Sequence, residues 1–414
     1  MVLRPFLGIL LLLGIAFALS EDRRRIPWRT VASGIVLQWL LAVLLLRVPV
    51  ASALILRLNG VATALQNATD AGTRFVFGYL AGGPAPFAVT HPEAGFVLAL
   101  EAMPLVLTIS ALASLLFYWG ILQRLTAVFA ALLRRVMGIG GALALGAAVH
   151  IFVGMIEAPL LIRPYLARLQ RGELFALMTV GMAGVAGTVM VIYAGFLAPL
   201  VPGALGHILI ASVISTPAGL AVAALMVPFD PDPASGGALV LADPPHSAID
   251  ALVKGTMDGI PVLAGILALL LVAVALVHMA DGLLALLPAI GGAPVSLVRI
   301  FALPFRPVMW LLGLSWTQSG VAAQLMATKT VLNEFVAYLH LAALPAATFG
   351  ARGRLVMLYA LCGFANFGSL GIMIGGLGAM VPERRSEVVA LGLRSILAGT
   401  LATCMSGAVA GLLG

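Results

Sequence analysis

Charge is what this 414-residue chain has least of: 9% of its residues are charged, against about 25% in a soluble domain. So few charges cannot cover a water-facing surface, which excludes an ordinary soluble domain. Lysine is nearly absent, with Lys254 and Lys329 beside 21 arginines, so the net charge of +7 is an arginine charge. No basic stripe interleaved with aromatics occurs, and no nucleic-acid partner is expected. The two cysteines, Cys362 and Cys404, both lie in apolar runs and read as buried small hydrophobes rather than a disulfide or metal pair. HExxH and CxxC motifs are absent, and neither glycine run, at 138–141 or 375–378, precedes Lys-Ser/Thr. Without a nucleophile, base or metal signature, neither an enzyme nor a bound cofactor is expected.

What is present is apolar: 62% hydrophobic residues, with 46 Gly and 24 Pro dispersed among long runs, the composition of an all-α polytopic membrane protein. Runs at about 3–19, 33–50, 95–121, 173–199, 203–228, 258–288, 354–380 and 387–413 predict eight transmembrane helices. The first run precedes Glu21, Asp22 and Arg23 to Arg25 rather than following a basic segment, so it reads as a retained helix and not a cleaved signal. Two further stretches, 138–169 and 315–346, are too long for one pass and polar at their middles. Gly154, Pro159 and Pro164 interrupt the first, which contains His150, Glu157 and Arg163. The second contains Gln324, Lys329, Asn333, Glu334 and His340. Each is expected to be a re-entrant helical hairpin whose tip is buried in protein.

Amphipathic segments at 122–137 and 292–311 precede the hairpins and are placed in the membrane interface. Arginine clusters around Arg23, Arg134, Arg168 and Arg384 fall on one side, read as cytoplasmic, with both termini outside. Arg299, Arg306, Arg352 and Arg354 fall opposite. The implied organisation is scaffold helices 1–3 in 1–121, a first repeat core in 122–228, a polar loop in 229–257, scaffold helix 6 in 258–291 and a second repeat core in 292–414. Glu101 and Asp258 read as acids near the starts of spans.

The halves correspond. Glu157 pairs with Glu334 at an offset of 177, and the small-residue stretch from Gly181 pairs with that from Gly363 at an offset of 182. The hairpins enter from opposite faces, so the repeats are inverted. That is the architecture of secondary transporters, whose substrate sites lie where broken helices meet at the midplane. Glycine-rich stretches allow close helix packing or a local unwinding that frees carbonyls. Carboxylates at two hairpin tips are costly within a membrane and mark a site, although each also caps a helix N-terminus.

At these residues the sequence resembles the concentrative nucleoside transporter family. The motifs are Glu157-Ala-Pro-Leu-Leu-Ile-Arg163-Pro, Met178-Thr-Val-Gly-Met-Ala, Lys329-Thr-Val-Leu-Asn333-Glu334-Phe-Val-Ala-Tyr338, and Gly363-Phe-Ala-Asn366-Phe-Gly-Ser369 running on to Gly375-Gly-Leu-Gly. The resemblance implies a homotrimer in the bacterial plasma (inner) membrane that imports nucleosides with Na⁺ or H⁺ by an elevator motion. It places Glu157, Val189, Asn333, Glu334, Phe364, Asn366 and Ser369 around the substrate, with Glu334, Asn366 and Ser369 facing the ribose hydroxyls. Where the family has a base-reading Gln-Thr pair at the first hairpin tip, this chain has Met155 and Ile156, so selectivity is expected to be relaxed or redirected. The family's Na⁺ site uses an Asn where this chain has His150 and a Ser where it has Gly184, leaving Val153 and Val185 to offer carbonyls. Losing two side-chain oxygens disfavours a hard cation. The expectation shifts to H⁺, carried at His150 with Glu157 or Glu334. Two alternatives stay open: a same-fold carrier of another polyhydroxylated solute, and a non-transporting membrane receptor.

Overall fold

The computed structural model describes residues 3–90, 95–230, 244–345 and 347–414. Among these the secondary structure is helical, apart from one isolated bridge between Ile290 and Ala293. The chain opens with α1 (Leu3–Ala18), α2 (Trp28–Arg47), α3 (Pro49–Phe77), α4 (Leu98–Glu101) and α5 (Leu105–Tyr118). Two helical repeats follow, separated by α13 (Ala248–Leu284). The first comprises α6 (Ile121–Met137), α7 (Gly141–Val149), α8 (Glu157–Leu161), α9 (Arg163–Leu166), α10 (Arg171–Ala183), α11 (Gly187–Leu197) and α12 (Ala204–Met226). The second comprises α14 (Leu297–Leu311), α15 (Trp316–Val331), α16 (Glu334–Ala343), α17 (Ala351–Leu361), α18 (Phe367–Met380) and α19 (Arg385–Leu413).

The repeats match in order: an amphipathic helix (α6, α14), a hairpin (α7 to α9, α15 and α16), a broken helix (α10 with α11, α17 with α18) and a long helix (α12, α19). Both segments read as hairpins turn back on themselves as expected. Among the described residues six helical stretches are long and apolar enough to cross a bilayer: Trp28–Arg47, Leu98–Tyr118, Arg171–Leu197, Ala204–Met226, Ala248–Leu284 and Pro382–Leu413. The other two expected passes are the shorter α1 and the 354–380 run, which is split into α17 and α18.

Helix α3 is an element the sequence reading did not place. Arg57, Gln66, Asn67, Asp70 and Arg74 interrupt its apolar pattern, so no hydrophobic run announces it. Pro49 closes α2, since it offers no N–H to continue that helix, and opens α3 in its first turn, where none is needed. Helix α13 begins well before its apolar run, at the Ser247 cap whose hydroxyl accepts from Asp250 N at 3.1 Å. Asp258 therefore lies inside α13 rather than at its start. Glu101 does sit at a helix start, its carboxylate accepting from Val97 N at 2.8 Å. Of the polar loop read at 229–257, residues 231–243 lie outside the described residues.

Helices α12 and α19 pack on each other and on α10 and α17 to form the core. Helices α1 and α2 lie against α12 and α19, while α5 pairs with α13. In α13 only Ala251, Gly255 and Gly259 are buried, and the two glycines let its backbone close on Ser110 of α5. Its remaining face carries exposed Leu271, Leu276 and Leu283, which suits a hydrocarbon or apolar protein neighbour. At one end, Arg171 and Arg394 reach Glu21 from distant parts of the chain at 3.0 and 2.6 Å, and Arg384 pairs locally with Glu387 at 2.7 Å. The hydrogen bond from Arg171 holds the Glu21 carboxyl below the ordinary carboxylate range. Cys362 and Cys404 are free and buried.

Candidate functional site

Each hairpin tip is built by local chemistry. In the second hairpin, Ser315 and Gln318 form a capping box that starts α15. Beyond Leu332 the chain re-enters as α16, because the Asn333 side chain accepts from Val336 N at 3.0 Å and makes Asn333 an N-cap. Glu334 is thereby the first helical residue, at the positive end of the α16 dipole. The first hairpin leaves α7 at His150, runs without helix to Ile156 and restarts at Glu157. A Cβ at Gly154 would collide with the Glu157 carboxylate, so only glycine lets that acid fold over the tip.

The two broken helices bring their unwound segments, 184–186 and 362–366, into contact. Phe364 N donates to Gly184 O at 3.2 Å across the junction. A Cβ at Gly363 would lie 2.7 Å from Met182 O and 2.8 Å from a methyl of Thr403. We expect Gly363→Ala to force the segments apart and cost about 1–3 kcal/mol, the usual penalty of overpacking. Thermal unfolding of the detergent-purified variant reads this directly, and an unchanged midpoint would refute it.

The hairpin tips, the helix breaks and α13 enclose a cavity of about 420 Å³. All nine residues that the sequence reading grouped around a solute line it: Met155, Ile156, Glu157, Val189, Asn333, Glu334, Phe364, Asn366 and Ser369. Its polar centre is Glu334, buried at 4% exposure. The Tyr193 hydroxyl donates to Glu334 Oε1 at 2.7 Å and Asn366 Nδ2 donates to Oε2 at 2.9 Å. Asn366 is itself fixed as the N-cap of α18, accepting from Ser369 N at 2.7 Å. Glu157 is exposed into the same cavity. The opposite wall is apolar: Met103 with Pro261, Val262, Ile266 and Leu269 of α13.

Sequence reasoning missed Tyr193 and the α13 wall. Tyr193 sits in α11 among other apolar residues, 141 positions from Glu334, and no local signal singles it out. Its ring packs on Tyr338 and Phe335, with centroids at 5.1 and 5.9 Å.

The residues read as cation-coupling lie beside this cavity rather than in its lining. His150 is 5% exposed, its ring against Gly181, and its Nε2 is buried without a hydrogen-bond partner among the described residues. Val185 is buried and Val153 half-buried. The Gly184 carbonyl is already engaged by Phe364 N. Among the described residues no cluster of three or more His, Cys, Asp or Glu could hold a metal ion.

Comparison with known proteins covers nearly the whole chain. Residues 7–80 and 207–411 match the families described as Na⁺ dependent nucleoside transporter N-terminus and C-terminus, and residues 99–200 match a nucleoside recognition family. The chain is 36% identical over 426 residues to an uncharacterized transporter of Haemophilus influenzae, spanning 99% of this chain and 97% of that one. It is 34% identical over 421 residues to the nucleoside permease NupC of Helicobacter pylori, spanning 98% and 96%. Its fold matches the solved structure of CNTnw in an inward-facing substrate-bound state, with a TM-score of 0.89, 34% identity, and 100% and 98% of the two chains covered.

Proposed function

The chain belongs to the concentrative nucleoside transporter family, and from that premise we propose that it is a symporter importing nucleosides across the bacterial plasma membrane, coupled to H⁺ in preference to Na⁺. The observation that carries the substrate reading is Glu334, held by Tyr193 and Asn366 where the second hairpin meets both broken helices. Each carboxylate oxygen accepts one fixed bond and keeps a lone pair for a substrate hydroxyl. A vicinal diol such as that of ribose matches the paired oxygens through charge-assisted hydrogen bonds. Asn333, Asn366 and Ser369 add polar groups on the same side. Met155, Ile156, Val189 and Phe364 offer the flat part of the substrate an apolar slot, and about 420 Å³ is ample for a small molecule.

The coupling reading rests on His150. An imidazole with an unpaired buried nitrogen stands where the family resemblance puts an amide oxygen, and Gly184 supplies no hydroxyl. A nitrogen suits a proton better than it suits a hard cation that wants oxygen ligands. An elevator motion is part of the proposal, because the cavity lies between the α5–α13 pair and the body formed by the hairpins and broken helices. A homotrimer would cover the bare face of α13.

Uptake of radiolabelled uridine and adenosine into proteoliposomes tests this function. Both are expected to be taken up saturably and to compete with affinities within about tenfold, because Met155 and Ile156, at the positions of the family's base-reading pair, offer the base no side-chain donor or acceptor; tenfold corresponds to about 1.4 kcal/mol, roughly one hydrogen bond. The apolar Met155–Ile156 pair also favours a second reading, a carrier of another polyhydroxylated solute. Uptake of neither nucleoside, with thermal stabilisation by a different polyol, would select that reading.

A further inference from the structure

Lys329 is fully buried and lies outside the lining of the cavity. It lies in the last turn of α15 at 0% exposure. Its Nζ donates to Ala360 O at 2.9 Å and to Thr403 Oγ1 at 3.1 Å. Among the described residues no carboxylate lies within ion-pairing distance of it, and both of its hydrogen-bond acceptors are neutral oxygens. A buried charge kept in that way needs a structural reason.

The reason lies at the end of α17. Helix α17 stops at Leu361, and its final carbonyls lose the donors that a continuous helix would bring. Ala360 O would ordinarily receive Phe364 N, but Phe364 N donates to Gly184 O instead. Leu358 O would receive Cys362 N, which donates to Tyr359 O. The second hairpin replaces both: Lys329 supplies Ala360 O, and the Tyr338 hydroxyl donates to Leu358 O at 2.8 Å. A cation at a helix C-terminus also meets the negative end of the dipole. Thr403, the second partner of Lys329, touches Gly363 inside the unwound segment. That segment carries Phe364 and Asn366 into the cavity.

The first repeat offers a contrast near the end of its own hairpin's first helix. Its hairpin also ends its first helix on a basic side chain, His150, facing the broken helix at Gly181. Lys329 stands two residues from the position that the offset of 177 assigns to His150. Lys329 is partnered, whereas the His150 Nε2 has no partner among the described residues.

We propose that Lys329 is the tethered cation of the second repeat, a positioning residue that holds the 362–366 break in shape and so sets Phe364 and Asn366 for the substrate, while His150 of the first hairpin is left to an exchangeable charge. The proposal rests on the cavity being the nucleoside site, and its test separates the two. In proteoliposomes, Lys329→Met is expected to raise KM for uridine or adenosine at least tenfold with a smaller change in Vmax. Lys329→Ala is expected to regain affinity in ammonium or methylammonium, which can enter the vacated space, and not in choline, which is too large. A variant that keeps the wild-type KM and loses only Vmax in step with its folded fraction would overturn the proposal, as would indifference to ammonium. Should Lys329→Met fail to accumulate, Thr403→Val removes one partner of the ammonium while keeping the charge. It is expected to raise KM severalfold, and an unchanged KM overturns the proposal. If the wild-type protein takes up no nucleoside at all, it is the reading of the cavity that fails.

Discussion

Glu334→Gln is expected to lower kcat/KM for nucleoside uptake by a factor of 100 or more while leaving the protein folded. The glutamine is isosteric, and its amide keeps one hydrogen bond to each neighbour: the oxygen can accept from Asn366 Nδ2 and the nitrogen can donate to the Tyr193 oxygen, whose proton then turns to the cavity it lines, these groups now being 2.9 and 2.7 Å from the carboxylate. Folding should therefore survive, and the loss isolates the charge. Two substrate hydroxyls would each lose a charge-assisted bond of about 1.5–3 kcal/mol for a weaker neutral one, and about 2.8 kcal/mol in total is a factor of 100. Tyr193→Phe removes one fixed donor without removing the charge, so its effect should be smaller. Initial uptake rates across a substrate series give both values, with the thermal midpoint as the folding control. Wild-type kinetics from a folded Glu334→Gln protein would remove Glu334 from substrate binding.

The second large effect concerns the coupling ion. With Na⁺ replaced by choline, the wild-type protein is expected to keep concentrative uptake and to run several-fold faster at an external pH of 5.5 than at 7.5. The sign follows from a base that must gain a proton on the outer side: acid fills it and alkali empties it. His150→Asn should abolish this response. Installing both missing oxygens with His150→Asn and Gly184→Ser should replace it by Na⁺ dependence. The backbone permits the serine: φ at Gly184 is −120°, and an added Cβ would meet Val180 O at 3.7 Å and His150 O at 4.0 Å, ordinary contact distances. Uptake by the wild-type protein that requires Na⁺ and ignores pH would refute proton coupling.

Much of the fold could be read without coordinates because a bilayer narrows the choices. Apolar runs of spanning length must be helices, since backbone groups in hydrocarbon have to pair within their own segment. Segments such as 138–169 and 315–346 break that rule in length and polarity, and this is why they stood out as hairpins. Helix α3 escaped because its polar residues dilute the one signal on which such reading depends. Asp258 was misplaced because hydropathy marks where a helix enters hydrocarbon, not where its hydrogen bonding begins.

The motifs around Glu157, Glu334 and Asn366, and the repeat that relates the two acids, were determined by the residue order alone, because short-range patterns of caps, glycines and isolated charges in apolar surroundings each have few physical explanations. Only the tertiary structure decided that Tyr193 holds Glu334, that α13 walls the cavity, and that Lys329 finishes a helix in another part of the chain. Those contacts join residues 31 to 141 positions apart or set one helix face against a hairpin. Nothing local encodes such partnerships, because they arise where unwound backbone frees carbonyls and packing chooses which distant donor can reach them.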